Sequence, residues 1–292
     1  MNSQTLNSHR EDLKEYGWTL IKGIFSEEEV LNLRKYSLEH SQNGGRNNGD
    51  LLSHKKLQNV ICDDRINNIA KVLLSDNPVY FGDSSVAVHS VDKRISHGLH
   101  KDSPDRDDIN SPSFQGEYSV IRFGIYLQDH VSHSQGLIVR SKSHNYADTT
   151  SGKKVIVPSE PGDIIVWYLT TTHSGNAKRI IGLKNLVIAD DGVSKLQHFL
   201  YYRIPSFLVK EDSKDRISLF FTLGKKGQHL NRYIQYLKGR DYAINTWGNS
   251  NWSEETKDLC KEKNFHLLDI PNEIKNSSNS FTSQTDNYKL DY

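Results

Sequence analysis

Residues 162–176 read GDIIVWYLTTTHSGN. A Gly-Asp turn opens the stretch, an unbroken apolar run follows from Ile164 to Leu169, and a threonine run leads to His173 before a Ser-Gly-Asn turn. A short run rich in β-branched and aromatic side chains, bounded by turn residues, predicts a buried strand. The same texture recurs in VYFGDSSVAVHSV (79–91), GEYSVIRFGIYLQD (116–129), QGLIVRSKS (135–143), KKVIVPS (153–159) and RISLFFTLG (216–224). Short strands separated by Gly, Pro, Asp and Ser in one block predict a β-sandwich or barrel. The expected fold is mainly β, with flanking α-helices.

The helices stand outside that block. In EYGWTLIKGIFSEEEVLNLRKYSLEH (15–40) a short strand around Trp18 and Leu20 breaks at Gly23. Ser26 then predicts an N-cap, with Glu29 three residues on to close a capping box. Val30, Leu31, Leu33 and Tyr36 supply the apolar stripe of the helix that follows. A second helix is expected over DRINNIAKVLLSD (64–76), and another over about 229–245. SQNGGRNNGD (41–50) reads as a polar loop. The polar, aromatic-poor stretch 272–292 reads as a disordered tail. The expected organisation is one domain over 1–271: helical support over about 12–78, a β core over about 79–225 and a C-terminal helix.

Composition narrows the function. The 292 residues carry 37 basic and 36 acidic side chains, a net charge of +1, so no basic face invites nucleic acid. No run approaches the 18 or so apolar residues of a membrane span, and the opening MNSQTLNSHREDLK lacks a signal-peptide core. Cys62 and Cys260, far apart in sequence, make neither a disulfide framework nor a zinc site. A cytoplasmic protein is expected.

The chemistry-bearing residues lie at strand ends. In His100-Lys101-Asp102 the outer two side chains share one face of an extended strand. Chance alone supplies about one His-x-Asp in a chain with 13 histidines, so the pair needs support from elsewhere. His173, closing the strand first quoted, supplies it. Two imidazoles and one carboxylate on one face of a metal form the facial triad of non-haem Fe(II) sites, which leaves positions open. Closed tetrahedral zinc needs a fourth protein ligand, and no candidate stands out. Arg216 opens the strand RISLFFTLG, with Ser218 two places on and on the same face. A guanidinium plus a hydroxyl suits a carboxylate. Arg122, a charge inside the apolar VIRFGIY, needs a partner: a cosubstrate, a substrate or a structural carboxylate. Ser103, directly after Asp102, is a further candidate for a cosubstrate contact. His97, His133 and His144 are assigned no chemistry.

These pieces, in order, resemble the phytanoyl-CoA dioxygenase family of Fe(II)/2-oxoglutarate-dependent oxygenases. The likeness runs over about residues 12–225. It includes YGWTLIKGIFSEEEVLNLR (16–34), HKD (100–102), RFGIYLQDH (122–130), SQGLIVRSKSH (134–144) and PGDIIVWYLTTTHSGN (161–176). The resemblance implies a double-stranded β-helix, a jelly-roll or cupin-like core. It implies Fe(II) held by His100, Asp102 and His173, with 2-oxoglutarate and O2 as cosubstrates. The implied reaction hydroxylates a small or carrier-linked metabolite with release of succinate and CO2. The family also contains halogenases, in which a halide takes the place of the ligand carboxylate; Asp102 fills that place here.

One departure concerns the cation for the distal carboxylate of 2-oxoglutarate. In the family an arginine falls about ten residues after the distal histidine. Here Arg179 stands at six, Lys184 at eleven and Arg216 at 43. Arg216 is preferred because it opens a core strand, which makes 180–215 an insertion suited to a lid; Lys184 and Arg179 remain rivals. Two alternatives stay open: a cupin-like metal enzyme that uses no 2-oxoglutarate, and a non-catalytic binding protein on the same barrel. Substrate identity and oligomeric state are not legible.

Overall fold

The computed structural model describes residues 3–89, 98–128, 136–175, 178–188, 195–209 and 215–277. Helix α1 (Ser3–Tyr16) turns at Gly17 into β1 (Trp18–Ile21), and α2 (Glu27–Gln42), α3 (Gln58–Ile61) and α4 (Asp64–Leu74) follow. Next come β2 (Val79–Tyr80), β3 (Ser84–His89), β4 (Val120–Tyr126), β5 (Ile138–Ser141), β6 (Lys153–Ile156), β7 (Ile164–Tyr168) and β8 (His173–Ser174). A hairpin of β9 (Lys178–Ile180) and β10 (Leu183–Ile188), then α5 (Lys195–Arg203), precede the long β11 (Arg216–Gly224). The chain continues through α6 (Gln228–Lys238), α7 (Asp241–Asn249), α8 (Glu254–Glu262), β12 (His266–Leu267) and α9 (Ile270–Asn276).

The architecture is mixed α and β. The larger sheet runs β1-β7-β4-β11-β2-β12, with β3 also paired to β11. A smaller sheet runs β6-β5-β8, and a bridge between His100 and His173 adds the His100 segment to the free side of β8. Alternation sorts the larger sheet into two faces. Phe123 and Ile125 of β4 join Leu219 and Phe221 of β11 in the main core, among residues from α1, α2, α4, α6 and α7. The opposite face carries Tyr126, Trp167 and Phe220 toward Leu137, Val139 and Val157 of the smaller sheet's neighbourhood. Gly124 is required there: a Cβ would stand 2.8 Å from the Trp167 ring.

Local chemistry explains the helix starts. Ser26 Oγ accepts the Glu29 N–H, and Glu29 accepts the Ser26 N–H, so the capping box is formed. Asp63 caps α4 in the same manner by accepting the Arg65 N–H.

Several expectations are corrected. The N-terminal helical layer begins at Ser3, not near residue 12, because Leu6 and Leu13 are buried on one face of α1. The 41–50 loop contains a 3-10 turn over Gly45–Asn48 and ends at fully buried Asp50. Asp50 accepts hydrogen bonds from Tyr80 Oη (2.6 Å) and Trp252 Nε1 (3.0 Å), tying the N-terminal layer to the C-terminal helices. The helix expected over 229–245 is two, broken at Gly239, and α8 and α9 follow. α9 occupies the start of the supposed tail: Asp269 caps it, Pro271 sits in its first turn, and Ile270 and Ile274 are buried. Residues 278–292 lie outside the described residues, as do His97 and His133. Cys62 and Cys260 are free thiols, as expected, but they are not apart: their sulfurs are 3.0 Å from each other. The inserted segment holds the β9–β10 hairpin and α5, and exposes Leu196, Phe199 and Phe207.

One buried histidine, His40, and one half-buried, His144, set an acid limit. His40 lies edge-on against His54, and His144 donates Nε2–H to the Lys14 carbonyl. Burial pulls both down to about 4 from 6.5; for His40 the His54 charge adds to it, and for His144 the Lys14 hydrogen bond opposes it. The folded protein thus takes up these protons at lower pH than the unfolded chain. The stability they contribute is full above about pH 6.5 and is lost as pH falls to about 4, at up to about 1.4 kcal/mol per pH unit for each. We expect the urea midpoint to fall across that window, less steeply in His144→Gln. A midpoint independent of pH there would mean that the imidazoles titrate freely.

Candidate metal centre

Backbone pairing brings the histidines together. The His100 N–H donates to the His173 carbonyl (3.0 Å), the His173 N–H returns the bond (2.9 Å), and the Asp102 N–H donates to the Leu169 carbonyl (3.0 Å). The extended chain then directs Lys101 away from its neighbours. Its Nζ is buried and donates to the carbonyls of Ser143 (2.8 Å) and Thr170 (2.5 Å). Burial pulls Lys101 down to about 7.

On the other face, His100, Asp102 and His173 each offer a ligand atom, all within 4.8 Å of one another. His100 Nε2 lies 3.7 Å from Asp102 Oδ1, and His173 Nε2 lies 3.5 Å from Asp102 Oδ2. The tautomers follow from the other ring nitrogens. His100 Nδ1 is 2.9 Å from the Gly98 carbonyl and His173 Nδ1 is 3.0 Å from the Thr171 carbonyl; a carbonyl only accepts, so each Nδ1 carries the proton. Both Nε2 lone pairs are therefore free on the side where Asp102 lies, and the Nδ1–H bonds to the carbonyls hold the rings in that orientation. Burial pulls His173 down to about 4, which keeps it neutral and able to ligate at neutral pH.

Asp102 is ionised. Burial pushes its carboxyl up, but the charge of Arg122, with His173, His100 and Arg46 behind it, reverses this and holds it at about 2. Arg122 Nη1 lies 3.1 Å from Asp102 Oδ2 without forming a hydrogen bond, so that buried oxygen keeps its lone pairs available. The rest of the guanidinium is occupied: Nη2 donates to Asp83 Oδ2 (2.8 Å) and Tyr233 Oη (2.9 Å), and Nε to Thr222 Oγ1 (3.2 Å). Of the partners expected for Arg122, the structure supplies carboxylates, on Asp83 and Asp102.

Arg216 and Ser218 lie on the same strand as Thr222 and on its inner face. Arg216 is 7% exposed, so it does not form a solvated ion pair at the surface. Its guanidinium stands over the Tyr126 ring, 5.6 Å from the centroid, and against Gly175, two residues beyond His173. A Cβ at Gly175 would stand 2.5 Å from Arg216 Nη2. Arg216 Nε and Ser218 Oγ are buried with no hydrogen-bond partner among the described residues. A buried donor pair left unsatisfied points to a polar ligand. Arg179 and Lys184 fall on β9 and β10; their side chains lie outside the described residues. Ser103 is buried, and its Oγ accepts the Asp105 N–H at 3.4 Å.

Sequence reading missed Asp83, Tyr233 and Gly175. Each acts through a contact between distant segments, and Gly175, although inside the stretch 161–176, reads there only as a turn residue. Charge inside the strand at Arg122 was the signal, and it left a structural carboxylate open beside a cosubstrate or a substrate.

The sequence matches no protein-family model and no curated protein. The structure does have solved likenesses, and they define a fold seen in non-haem iron and α-ketoglutarate proteins. The epimerase SnoN, in complex with Fe3+, α-ketoglutarate and nogalamycin RO, aligns with a TM-score of 0.52 at 14% identity, over 77% of this chain and 85% of that one. The non-haem monooxygenase ThoJ, as a Ni complex, aligns with a TM-score of 0.52 at 13% identity, over 74% and 76%. EctD from S. alaskensis, with 2-oxoglutarate and 5-hydroxyectoine, aligns with a TM-score of 0.51 at 12% identity, over 77% and 76%. At these identities the likeness is one of fold. No helix among the described residues is long and apolar enough to cross a membrane.

Proposed function

We propose that this protein is an Fe(II)- and 2-oxoglutarate-dependent dioxygenase acting on a small or carrier-linked molecule. The observation that carries the reading is the convergence of His100, Asp102 and His173 on one point, with Arg216 buried on the same inner face. Two imidazoles and an ionised carboxylate suit a divalent first-row ion and leave coordination positions for a cosubstrate and O2. In this reading one domain, carried on past residue 271 through α9, holds the activity, and the two sheets are the walls of a double-stranded β-helix.

When bound, Fe(II) and 2-oxoglutarate supply the oxidation, with succinate and CO2 released. The residues of the chain hold and orient. His100, Asp102 and His173 are the metal ligands. Arg216 Nε and Ser218 Oγ are the unsatisfied donors that receive the distal carboxylate of 2-oxoglutarate. Arg122 is a positioning residue: paired with Asp83, it keeps Asp102 ionised and fixed. Ser103 belongs to the turn behind Asp102. The segment 180–215 lies in the chain between His173 and Arg216, which supports a position near the cosubstrate.

The test needs no substrate. Anaerobic addition of 2-oxoglutarate to the Fe(II)-loaded protein is expected to give a saturable visible charge-transfer band, and oxygen then to yield succinate. His100→Ala and His173→Ala should lose the band with the iron. Iron bound tightly without any band would replace this reading with a metal enzyme that uses no 2-oxoglutarate. Failure to bind iron at all would leave a binding protein.

A further inference from the structure

The chain has only two cysteines, separated by 198 positions, and the fold places their sulfurs in contact. Cys62 ends α3, where its N–H donates to the Gln58 carbonyl, and Cys260 lies in the last full turn of α8, where its carbonyl accepts the Phe265 N–H. Both side chains are buried, at 2% and 0% exposure, and the Sγ atoms are 3.0 Å apart. Two thiols scattered at random through a chain of this length have little chance of meeting. Nothing in the proposed chemistry uses them.

We propose that Cys62 and Cys260 form a disulfide that staples the C-terminal helices to the N-terminal helical layer. The reaction with a disulfide oxidant such as oxidised glutathione balances simply. One S–S bond forms between the two Sγ atoms, the S–S bond of the oxidant breaks, and the two thiol protons end on the two released glutathione thiols. The contact lets either thiol donate its hydrogen to the other sulfur, so the first thiolate formed on either one has the second sulfur in reach. The closed ring would contain β2 to β11, and with them His100, Asp102, His173 and Arg216. Cross-linking so long a loop removes a large part of the freedom of the unfolded chain. It also holds α8 against α3, so that the layer around Asp50 and Trp252 stays closed.

The full-length protein is equilibrated with excess oxidised glutathione or with dithiothreitol, then denatured, alkylated with iodoacetamide and weighed intact. The oxidised sample is expected to lack alkylation and to be lighter than the untreated reduced chain by two hydrogens; the reduced sample should take two alkyl groups. The native oxidised protein should also melt roughly 5 °C or more above the reduced one, a difference absent in Cys260→Ser. Two alkyl groups on both samples would overturn the disulfide. A mixed disulfide with glutathione on either thiol would overturn the pairing. A disulfide that forms without raising the melting temperature would overturn the staple.

Discussion

Arg216→Ala is expected to bind 2-oxoglutarate about 100-fold more weakly than wild type while holding Fe(II) equally well. The loss, about 2.7 kcal/mol, is what charge-assisted hydrogen bonds to a carboxylate contribute in a buried site. Arg216 makes no metal contact in this assignment, so the anaerobic charge-transfer titration should shift in midpoint and reach a normal amplitude. Gly175→Ala should produce a milder version of the same defect. Its new Cβ would meet Nη2 at 2.5 Å and displace the guanidinium without removing it. Arg216→Lys keeps the charge but loses the fork, and should fall between the two. Lys184→Ala is expected to titrate as wild type. If Lys184→Ala is the variant with the large shift, the cation is Lys184 and the role of Arg216 is structural.

Arg122→Met is expected to destabilise the metal-free protein by about 3–5 kcal/mol, because it leaves Asp83 and Asp102 as buried carboxylates without a cation. Arg122 is 16% exposed and its partners 14% and 18%, so solvent replaces little of the lost attraction. Denaturant unfolding measures this directly. Fe(II) should restore part of the loss, since an ion bound by Asp102 supplies the missing positive charge, whereas Asp83 remains unpaired. A loss below about 1 kcal/mol would place the pair among ordinary solvated bridges. A full loss that iron does not reduce would argue against Asp102 as a ligand.

Much of this arrangement is legible in the residues. The apolar runs at 164–169 and 216–224 are strands because β-branched and aromatic side chains fill both faces of a covered sheet, and turn residues bound them. The box at Ser26 and Glu29 is local chemistry, complete within four residues, so it is readable and is formed. Helices α1 and α9 were not legible as such. Their apolar positions are sparse, at Leu6 and Leu13 and at Ile270 and Ile274, and their helicity depends on burial against other segments. Likewise the buried end of the 41–50 loop follows from Asp50 meeting Tyr80 and Trp252, partners 30 and 202 residues away.

The candidate site divides in the same way. His-x-Asp carries its own geometry, because alternation along an extended chain places two side chains on one face and Lys101 on the other. By itself the sequence determined the core strands, the capped helix and the three candidate ligands, with a shared direction for His100 and Asp102. Only the tertiary structure decided that His173 pairs with His100, that Arg122 is held between Asp83 and Asp102, that Arg216 rests against Gly175, and that Cys62 touches Cys260. Local chemistry acts over a few residues and is written in neighbouring letters. Contacts across the sheet depend on register and closure, which are settled by the packing of the whole core.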